Sequence, residues 1–158
     1  MLDRGSLTDR LVRATSGDFR VQILRQDWQR PQLSEAKRLG IKAGQVALVR
    51  EVLLVCHGQP WVYARSLFPL ATLSGPLRHL RRLDNRSLGS LLFNDPSMKR
   101  TMFEVAALES RRIKALVHLI PQDILWGRRS LFYVKNKPLL VTEVFLPALK
   151  ARQKQLGL

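Results

Sequence analysis

The period of hydrophobic and polar positions changes several times along the chain, and each change predicts an element. Residues 6–12 have helical spacing behind a serine, which predicts a capped first helix. Alternation over residues 19–28 predicts a strand, which Pro31 ends because proline lacks a backbone N–H. The polar segment 32–44 then predicts a short helix or turns.

Two β-hairpins give the clearest patterns. Residues 45–56 (QVALVREVLLVC) are rich in β-branched residues, His57 and Gly58 form a turn, and residues 61–68 (WVYARSLF) resume the alternation. Residues 130–134 and 139–146 flank a second turn in the same way. The hairpins predict an antiparallel sheet in the centre and at the end of the chain.

The segments between the hairpins are less regular. Helical spacing predicts helices over the leucine-rich residues 73–83 and over residues 88–93, whereas residues 101–106 favour a strand. Residues 109–121 fit either an amphipathic helix or an extended excursion. Together these elements predict one α+β domain over residues 1–158, an antiparallel sheet with helices packed on it, and a frayed basic tail over residues 150–158.

Two charged residues fall on apolar faces of predicted strands, because side chains in a strand repeat every two residues. Arg65 and Glu143 could face one cavity, where the guanidinium would clamp a carboxylate and Glu143 would accept a hydrogen bond from a hydroxyl or take up a proton. Alternatively, they form a structural salt bridge with each other. Arg128 and Arg129 alternate, so at most one can assist Arg65. The residues that share these faces are Trp61, Tyr63, Arg65 and Leu67 in one strand, and Val141, Glu143 and Phe145 in the other.

Composition narrows the class of protein. With 158 residues, 46% hydrophobic and 25% charged, the chain has the composition of one folded domain. Lys and Arg number 27 against 12 Asp and Glu, a net charge of +15, which indicates an anionic ligand or a solvated basic surface. The single cysteine, Cys56, excludes a disulfide scaffold and favours the cytoplasm, and no apolar stretch is long enough for stable membrane insertion.

Other chemistry finds little support. The three histidines, His57, His79 and His118, have no spacing typical of a zinc site or a catalytic triad. Cys56 falls at a strand position typical of core packing. The basic residues 78–86 could contact phosphates, but no nucleic-acid-binding motif accompanies them, so we expect no nucleic-acid partner.

Several sequence blocks together resemble the chorismate pyruvate-lyase family. They are REVLLVCHGQPWVYARSLFP at residues 50–69, TLSGP at 72–76, SLGSLLF at 87–93, LWGRRS at 125–130 and KPLLVTEVFLP at 137–147. They follow the family's order and cover most of the chain from Arg50 onward. Residues 109–121 look like an insertion where the best-known members have a tight turn.

The resemblance implies a cytoplasmic lyase that cleaves chorismate to 4-hydroxybenzoate and pyruvate, the entry step of ubiquinone synthesis. It also implies a buried ligand pocket, no metal or organic cofactor, and a monomer. By resemblance, Arg65 and Glu143 are catalytic and bind substrate, and Leu7 and Leu88 also contact it. Arg65 would hold the ring carboxylate, helped by the Leu88 backbone N–H, and Glu143 the ring hydroxyl. The alternative is a non-catalytic, sensor-like domain of related fold that binds small acids.

Overall fold

One antiparallel sheet dominates the computed structural model, which describes residues 6–152. The strand order is β1-β2-β3-β7-β6-β4, and β5 pairs with another part of β6. The strands are β1 (Phe19–Gln29), β2 (Ala47–Cys56), β3 (Gln59–Pro69), β4 (Lys99–Arg100), β5 (Glu104–Glu109), β6 (Ile124–Val134) and β7 (Lys137–Phe145). Every pairing is antiparallel. The α+β prediction is therefore confirmed.

Both predicted hairpins are present and share the same tight turn. His57 and Gly58 join β2 to β3 with φ values of 51° and 75°, and Lys135 and Asn136 join β6 to β7 with 49° and 61°. Two consecutive residues with positive φ give a turn whose twist matches that of the strands. The turns fix the register of the four central strands, which carry the site described below.

The predicted first helix and the helix near residue 88 are also present. Ser6 caps α1, accepting a hydrogen bond from the Asp9 backbone N–H at 3.3 Å, and Ser87 caps α3 in the same way, from Ser90 at 3.3 Å. These serines satisfy N–H groups that the first turn of a helix leaves unpaired. The helices are α1 (Leu7–Ala14), α2 (Leu33–Leu39), α3 (Leu88–Asn94) and α4 (Pro147–Lys150).

The helix predicted over residues 73–83 is wrong. The backbone forms turns, with one short 3-10 helix at Arg78–Arg82. Gly75 has φ of 98°, outside the helical region, and Pro76 follows it without an N–H to donate. The spacing of the leucines reflects their burial and not a helix, because four of them are buried: Leu73, Leu77, Leu80 and Leu83.

Two other segments also depart from the predicted pattern. The strand predicted over residues 101–106 is interrupted, since β4 ends at Arg100 and β5 begins at Glu104. Residues 109–121 form neither a regular helix nor an extended strand: they contain 3-10 turns at Ser110–Arg112 and Lys114–Leu116, and Leu116 anchors them in the core. The tail expected over residues 150–158 lies largely outside the residues that the structure describes, which end at residue 152.

The two faces of the sheet are covered by different elements. One face, which we call the cavity face, carries Val52 and Ala64 and packs against α1, α3 and the leucine-rich turns. The opposite face carries Leu53 and Tyr63 and packs against α2 and the turns around Leu116. Alternation along each strand therefore decides which cover a side chain meets.

Trp61 lies on a different face from the one predicted. The register of β2 and β3 shifts between Leu54 and Val55, a bulge that inserts one extra residue into β3. Trp61 consequently packs with Val62 and Ala64 on the cavity face, away from Tyr63. Within residues 6–152, no helix has the length and apolar character needed to cross a membrane.

Candidate active site

A cavity lies between the cavity face of the sheet and a roof formed by α1 and α3. The space not filled by protein atoms is about 600 Å³, which includes open solvent at the mouth of the cavity. Most of its lining is apolar, including Leu7 and Leu88 from the roof. Its charged lining residues in the described part of the chain are Arg50, Arg100, Arg128 and Glu143.

The roof is held together by contacts between its two helices. The Ser87 hydroxyl donates to Thr8 Oγ1 at 3.0 Å, and the Ser90 hydroxyl donates to Asp9 Oδ1 at 3.0 Å. A Cβ atom at Gly89 would lie 3.0 Å from Thr8 Oγ1, so the absence of a side chain lets the helices approach this closely. The roof therefore covers the cavity as one unit.

Strand register places the polar residues of the floor in two rows. In the first row, Arg50 pairs with Ser66, Ser66 with Val141, and Val141 with Ser130. In the second row, Ala64 pairs with Glu143, and Glu143 with Arg128. Directly paired residues point to the same side of a sheet, so both rows face the cavity.

Arg50 is a buried cation held by backbone carbonyls. It is 2% exposed. Its Nη1 donates to the Asp84 carbonyl at 2.7 Å and to Gln26 Oε1 at 3.5 Å, and its Nη2 donates to the Arg86 carbonyl at 2.9 Å. Burial lowers the pKa of this guanidinium from its ordinary value. Among residues 6–152, no carboxylate lies within ion-pair distance of it.

Arg50 retains hydrogen-bonding capacity for an anion. A guanidinium has five N–H donors, and the three acceptors above take both protons of Nη1 and one of Nη2. The Nε–H and one Nη2–H remain on a residue that lines the cavity. Two such donors on one planar group match a carboxylate in a bidentate arrangement.

Glu143 is oriented by Arg128 in the second row. Arg128 Nε donates to Glu143 Oε1 at 2.7 Å, and the side chains are 6% and 14% exposed, respectively. The Arg128 guanidinium also lies over the rings of Phe103 and Phe145, at 5.8 and 5.9 Å from their centroids. These contacts fix Oε1 of Glu143 and thereby orient the carboxylate at the cavity wall, where Oε2 could accept a hydrogen bond or a proton from a bound molecule.

Arg100 lies at the other end of the first row from Arg50. Its Nη2 and Nε donate to Ser130 Oγ at 2.9 and 3.3 Å. The guanidinium carbon lies 5.2 Å from the ring centroid of Phe132, 5.5 Å from that of Phe103 and 5.9 Å from that of Phe93. These rings hold the cation against the cavity.

The prediction that Arg65 and Glu143 converge on one cavity is wrong, as is the alternative that they pair with each other. Ala64, not Arg65, pairs with Glu143, and Arg65 pairs with Thr142. Because side chains alternate, Arg65 points to the opposite face of the sheet. Arg65 is absent from the cavity lining, and Arg128 lies with Glu143 instead of assisting Arg65.

On the opposite face, Arg65 belongs to a partly buried ion cluster of the protein itself. Its Nε and Nη2 donate to Glu35 of α2 at 2.9 and 3.1 Å, and its Nη1 donates to Glu51 at 2.9 Å. Burial alone would lower the pKa of Arg65, but the hydrogen bonds and charges of Glu35 and Glu51 raise it above its ordinary value. The buried arginine does need an anionic partner, as the sequence predicts, but protein carboxylates supply it.

The remaining sequence predictions divide between the two faces. Leu7, Leu88 and Glu143 are brought together around the cavity, although their contacts with a substrate stay a prediction. Arg50 and Arg100 were missed as site residues. The signal for Arg50 is that it interrupts a buried strand next to Glu51, since adjacent strand residues point to opposite faces.

Other reactive side chains lie outside this arrangement. Cys56 is buried with the apolar core, and burial raises the pKa of its thiol to about 12, as expected for a packing residue. His57, His79 and His118 are exposed. In the part of the chain that the structure describes, no three His, Cys, Asp or Glu side chains are close enough together to hold a metal ion.

Comparisons with known proteins point to one family. A family model described as chorismate lyase matches residues 1–155. A "Probable chorismate pyruvate-lyase" of Psychromonas ingrahamii is 43% identical over 162 residues, covering 94% of this chain and 81% of that protein. A protein of the same name from Methylococcus capsulatus is 43% identical over 150 residues, covering 94% and 93%.

Solved structures show the same fold in another class of protein. The C-terminal domain of PhnF has a TM-score of 0.67 with 17% identity, covering 93% of this chain and 94% of that one. A ligand-binding domain of a putative GntR-family transcriptional regulator from Bordetella bronchiseptica has a TM-score of 0.61 with 20% identity, covering 83% and 86%. At these identities the likeness concerns the fold alone.

Proposed function

Because the chain belongs to the chorismate lyase family, we propose that it eliminates pyruvate from chorismate and releases 4-hydroxybenzoate. Chorismate carries a ring carboxylate, a ring hydroxyl, and an enolpyruvyl ether with a second carboxylate. The site therefore has to bind a dianion and accept a hydrogen bond from a hydroxyl. Within the family, this reaction leads towards ubiquinone.

The reaction needs little chemistry from the protein. The C–O bond to the enolpyruvyl group breaks, and the proton leaves the neighbouring, hydroxyl-bearing carbon. The electron pair of that C–H bond completes the aromatic ring, and the enolpyruvyl group takes up a proton to become pyruvate. Aromatisation drives the elimination, so the protein's task is to hold a reactive conformer in a dry cavity.

Arg50 binds the ring carboxylate, the role that the sequence resemblance assigns to Arg65. Its remaining Nε–H and Nη2–H bind the ring carboxylate, and the carbonyls of residues 84 and 86 hold the guanidinium in place. Leu88 is the first residue of α3, where backbone N–H groups have no acceptor within the helix. Its N–H is the second donor to the same carboxylate, and Leu7 packs against the ring from the roof.

Glu143 accepts a hydrogen bond from the ring hydroxyl and is placed to take the proton from the adjacent carbon. Arg128 holds Oε1 of this carboxylate, which leaves Oε2 for the substrate. The observation that carries the proposal is this arrangement: a buried arginine whose hydrogen bonds within residues 6–152 go to backbone and amide oxygens, and an oriented carboxylate, on the same side of one cavity.

Turnover of chorismate by the purified protein tests the proposal. We expect 4-hydroxybenzoate and pyruvate in equal amounts, identified by chromatography. Arg50→Met should reduce kcat/KM by roughly 100- to 1000-fold, because a charged bidentate contact is lost, whereas Arg129→Gln on the opposite face should change it little. Binding of chorismate without any product would contradict the enzyme proposal and favour a sensor-like domain.

We also propose that the protein acts as a monomer in the cytoplasm. The residues given roles above, Arg50, Leu88 and Glu143, belong to the sheet and roof of the same chain, so the proposed mechanism needs no second copy. Light scattering after size-exclusion chromatography should give a mass near 18.1 kDa, and cell fractionation should recover the protein without detergent. A stable dimer whose dissociation abolishes turnover would contradict the monomer.

A further inference from the structure

We propose that Arg100 binds the second carboxylate of the substrate, the one on the enolpyruvyl group, at the end of the cavity away from Arg50. This inference rests on the proposed function, because it assigns the part of chorismate that 4-hydroxybenzoate lacks. It predicts two anion subsites in the cavity: a ring-carboxylate subsite at Arg50 and a pyruvyl subsite at Arg100.

Strand order separates the two arginines. Arg50 is on β2, and Ser130, which accepts from the Arg100 guanidinium, is on β6 in the same row of the floor. Neighbouring strands are about 4.8 Å apart, so the backbones of β2 and β6 are roughly 14 Å apart. Both arginines line the cavity. A molecule with carboxylates at two positions can therefore contact one arginine with each.

The surroundings of Arg100 suit a pyruvyl group. Phe93 and Phe132 line the cavity beside the guanidinium, at 5.9 and 5.2 Å from their ring centroids. The enolpyruvyl group combines a flat, apolar methylene with a carboxylate, so it needs an aromatic wall next to a cation. Among the described lining residues, Arg100 is the cation with this environment at the end of the cavity away from Arg50.

Charge supports two anion subsites. Among residues 6–152, the charged side chains of the lining are three arginines and one glutamate. Arg128 and Glu143 pair with each other between the two ends. Arg50 and Arg100 thus offer one arginine for each carboxylate of chorismate, whereas 4-hydroxybenzoate has only one carboxylate. Loss of pyruvate would remove the carboxylate that Arg100 binds, while Arg50 still holds the aromatic product.

Two ligands with different numbers of carboxylates test the inference. We would measure kcat/KM for chorismate and the Kd of 4-hydroxybenzoate in the wild type and in Arg100→Gln. Chorismate kcat/KM should fall roughly 10- to 100-fold, because a charged hydrogen bond is lost. The Kd of 4-hydroxybenzoate should stay within about threefold, because that ligand does not reach the subsite.

Two further variants calibrate the result. Arg50→Gln should weaken both ligands, and Arg129→Gln, which removes the same charge from the opposite face, should weaken neither. Circular dichroism reports the fold of each variant, and bound 4-hydroxybenzoate reports it as well for the variants at Arg100 and Arg129. If Arg100→Gln does not fold, Arg100→Met, which keeps an unbranched side chain against the phenylalanine rings, gives the same comparison.

Three results would overturn the inference or separate it from the proposed function. Unchanged chorismate kcat/KM in Arg100→Gln shows that no pyruvyl subsite exists there. An equal loss for both ligands shows that Arg100 supports the cavity as a whole. If the wild type does not turn over chorismate, the proposed function fails. The Kd of chorismate itself then shows whether the subsite exists, and it should still be higher in Arg100→Gln than in the wild type.

Discussion

Each face of the sheet holds an arginine, and the two arginines have different partners. On the face away from the cavity, Arg65 is neutralised by Glu35 and Glu51, so the protein supplies both anionic partners. On the cavity face, Arg50 is held by backbone carbonyls and a side-chain amide, and it lines the cavity. Burial of a cation alone therefore does not identify a ligand site. The site is where the fold leaves the charge to be balanced from outside.

The adjacent pair Arg50 and Glu51 shows how closely the two arrangements are linked. They follow each other in β2 and point to different faces, so one strand supplies the carboxylate of the ion cluster and the cation of the cavity. If the faces are as distinct as this, substitutions on one should change stability, and substitutions on the other should change turnover.

Removing Arg65 should have the largest effect, and that effect should be on stability. Arg65→Met leaves Glu35 and Glu51 buried without their cation, so the free energy of unfolding should fall by about 3–5 kcal/mol. Chemical denaturation at low temperature measures it. Adding Glu35→Gln and Glu51→Gln should recover much of the loss. A folded Arg65→Met protein without turnover would show that the opposite face belongs to the active site.

Removing the carboxylate on the cavity face should have a smaller effect, on rate. Glu143→Gln keeps the size of the side chain, but the amide is a poor proton acceptor, so kcat should fall roughly 100-fold. The fold should be retained. Steady-state kinetics measures the change, with Glu104→Gln on the exposed pair with Arg129 as the matched control. Equal kcat values for Glu143→Gln and the wild type would reduce Glu143 to a structural role.

The smallest effect should come from Tyr63, which completes the ion cluster. Its hydroxyl donates to Glu51 Oε1 at 2.8 Å, and burial together with the Glu51 charge raises the pKa of the phenol above its ordinary value. Tyr63→Phe should cost about 1 kcal/mol of stability, the typical net value of one hydrogen bond. Thermal unfolding measures this loss. A change in the KM for chorismate would contradict the separation of the two faces.

Local signals in the sequence are enough to predict the hairpins, the capped first helix and the charge of the site. The turn residues at 57–58 and 135–136 fix each hairpin within a few positions. The identity of the site arginine is a different matter, because it depends on which face each strand presents. That requires the register between β3 and β7, which no local pattern records. Arg65 and Glu143 both interrupt apolar faces, yet their pairing residues differ by one position.

The leucine-rich segment shows the same limit from another side. Leu73, Leu77, Leu80 and Leu83 are all buried, so their spacing reports contact with the core. Tertiary packing, with Gly75 and Pro76 interrupting the backbone, achieves that burial without a regular helix. Hydrophobic spacing therefore predicts which residues are buried more reliably than it predicts the conformation of the backbone.

A crystal structure of the protein with 4-hydroxybenzoate tests the central claim most directly, because it shows which face holds the product. We expect the ring between α1, α3 and the sheet, its carboxylate bonded to the Arg50 guanidinium and its hydroxyl to Glu143. A product molecule bound at Arg65, with Glu35 or Glu51 displaced, would contradict the account. So would a carboxylate turned away from Arg50 towards Arg100.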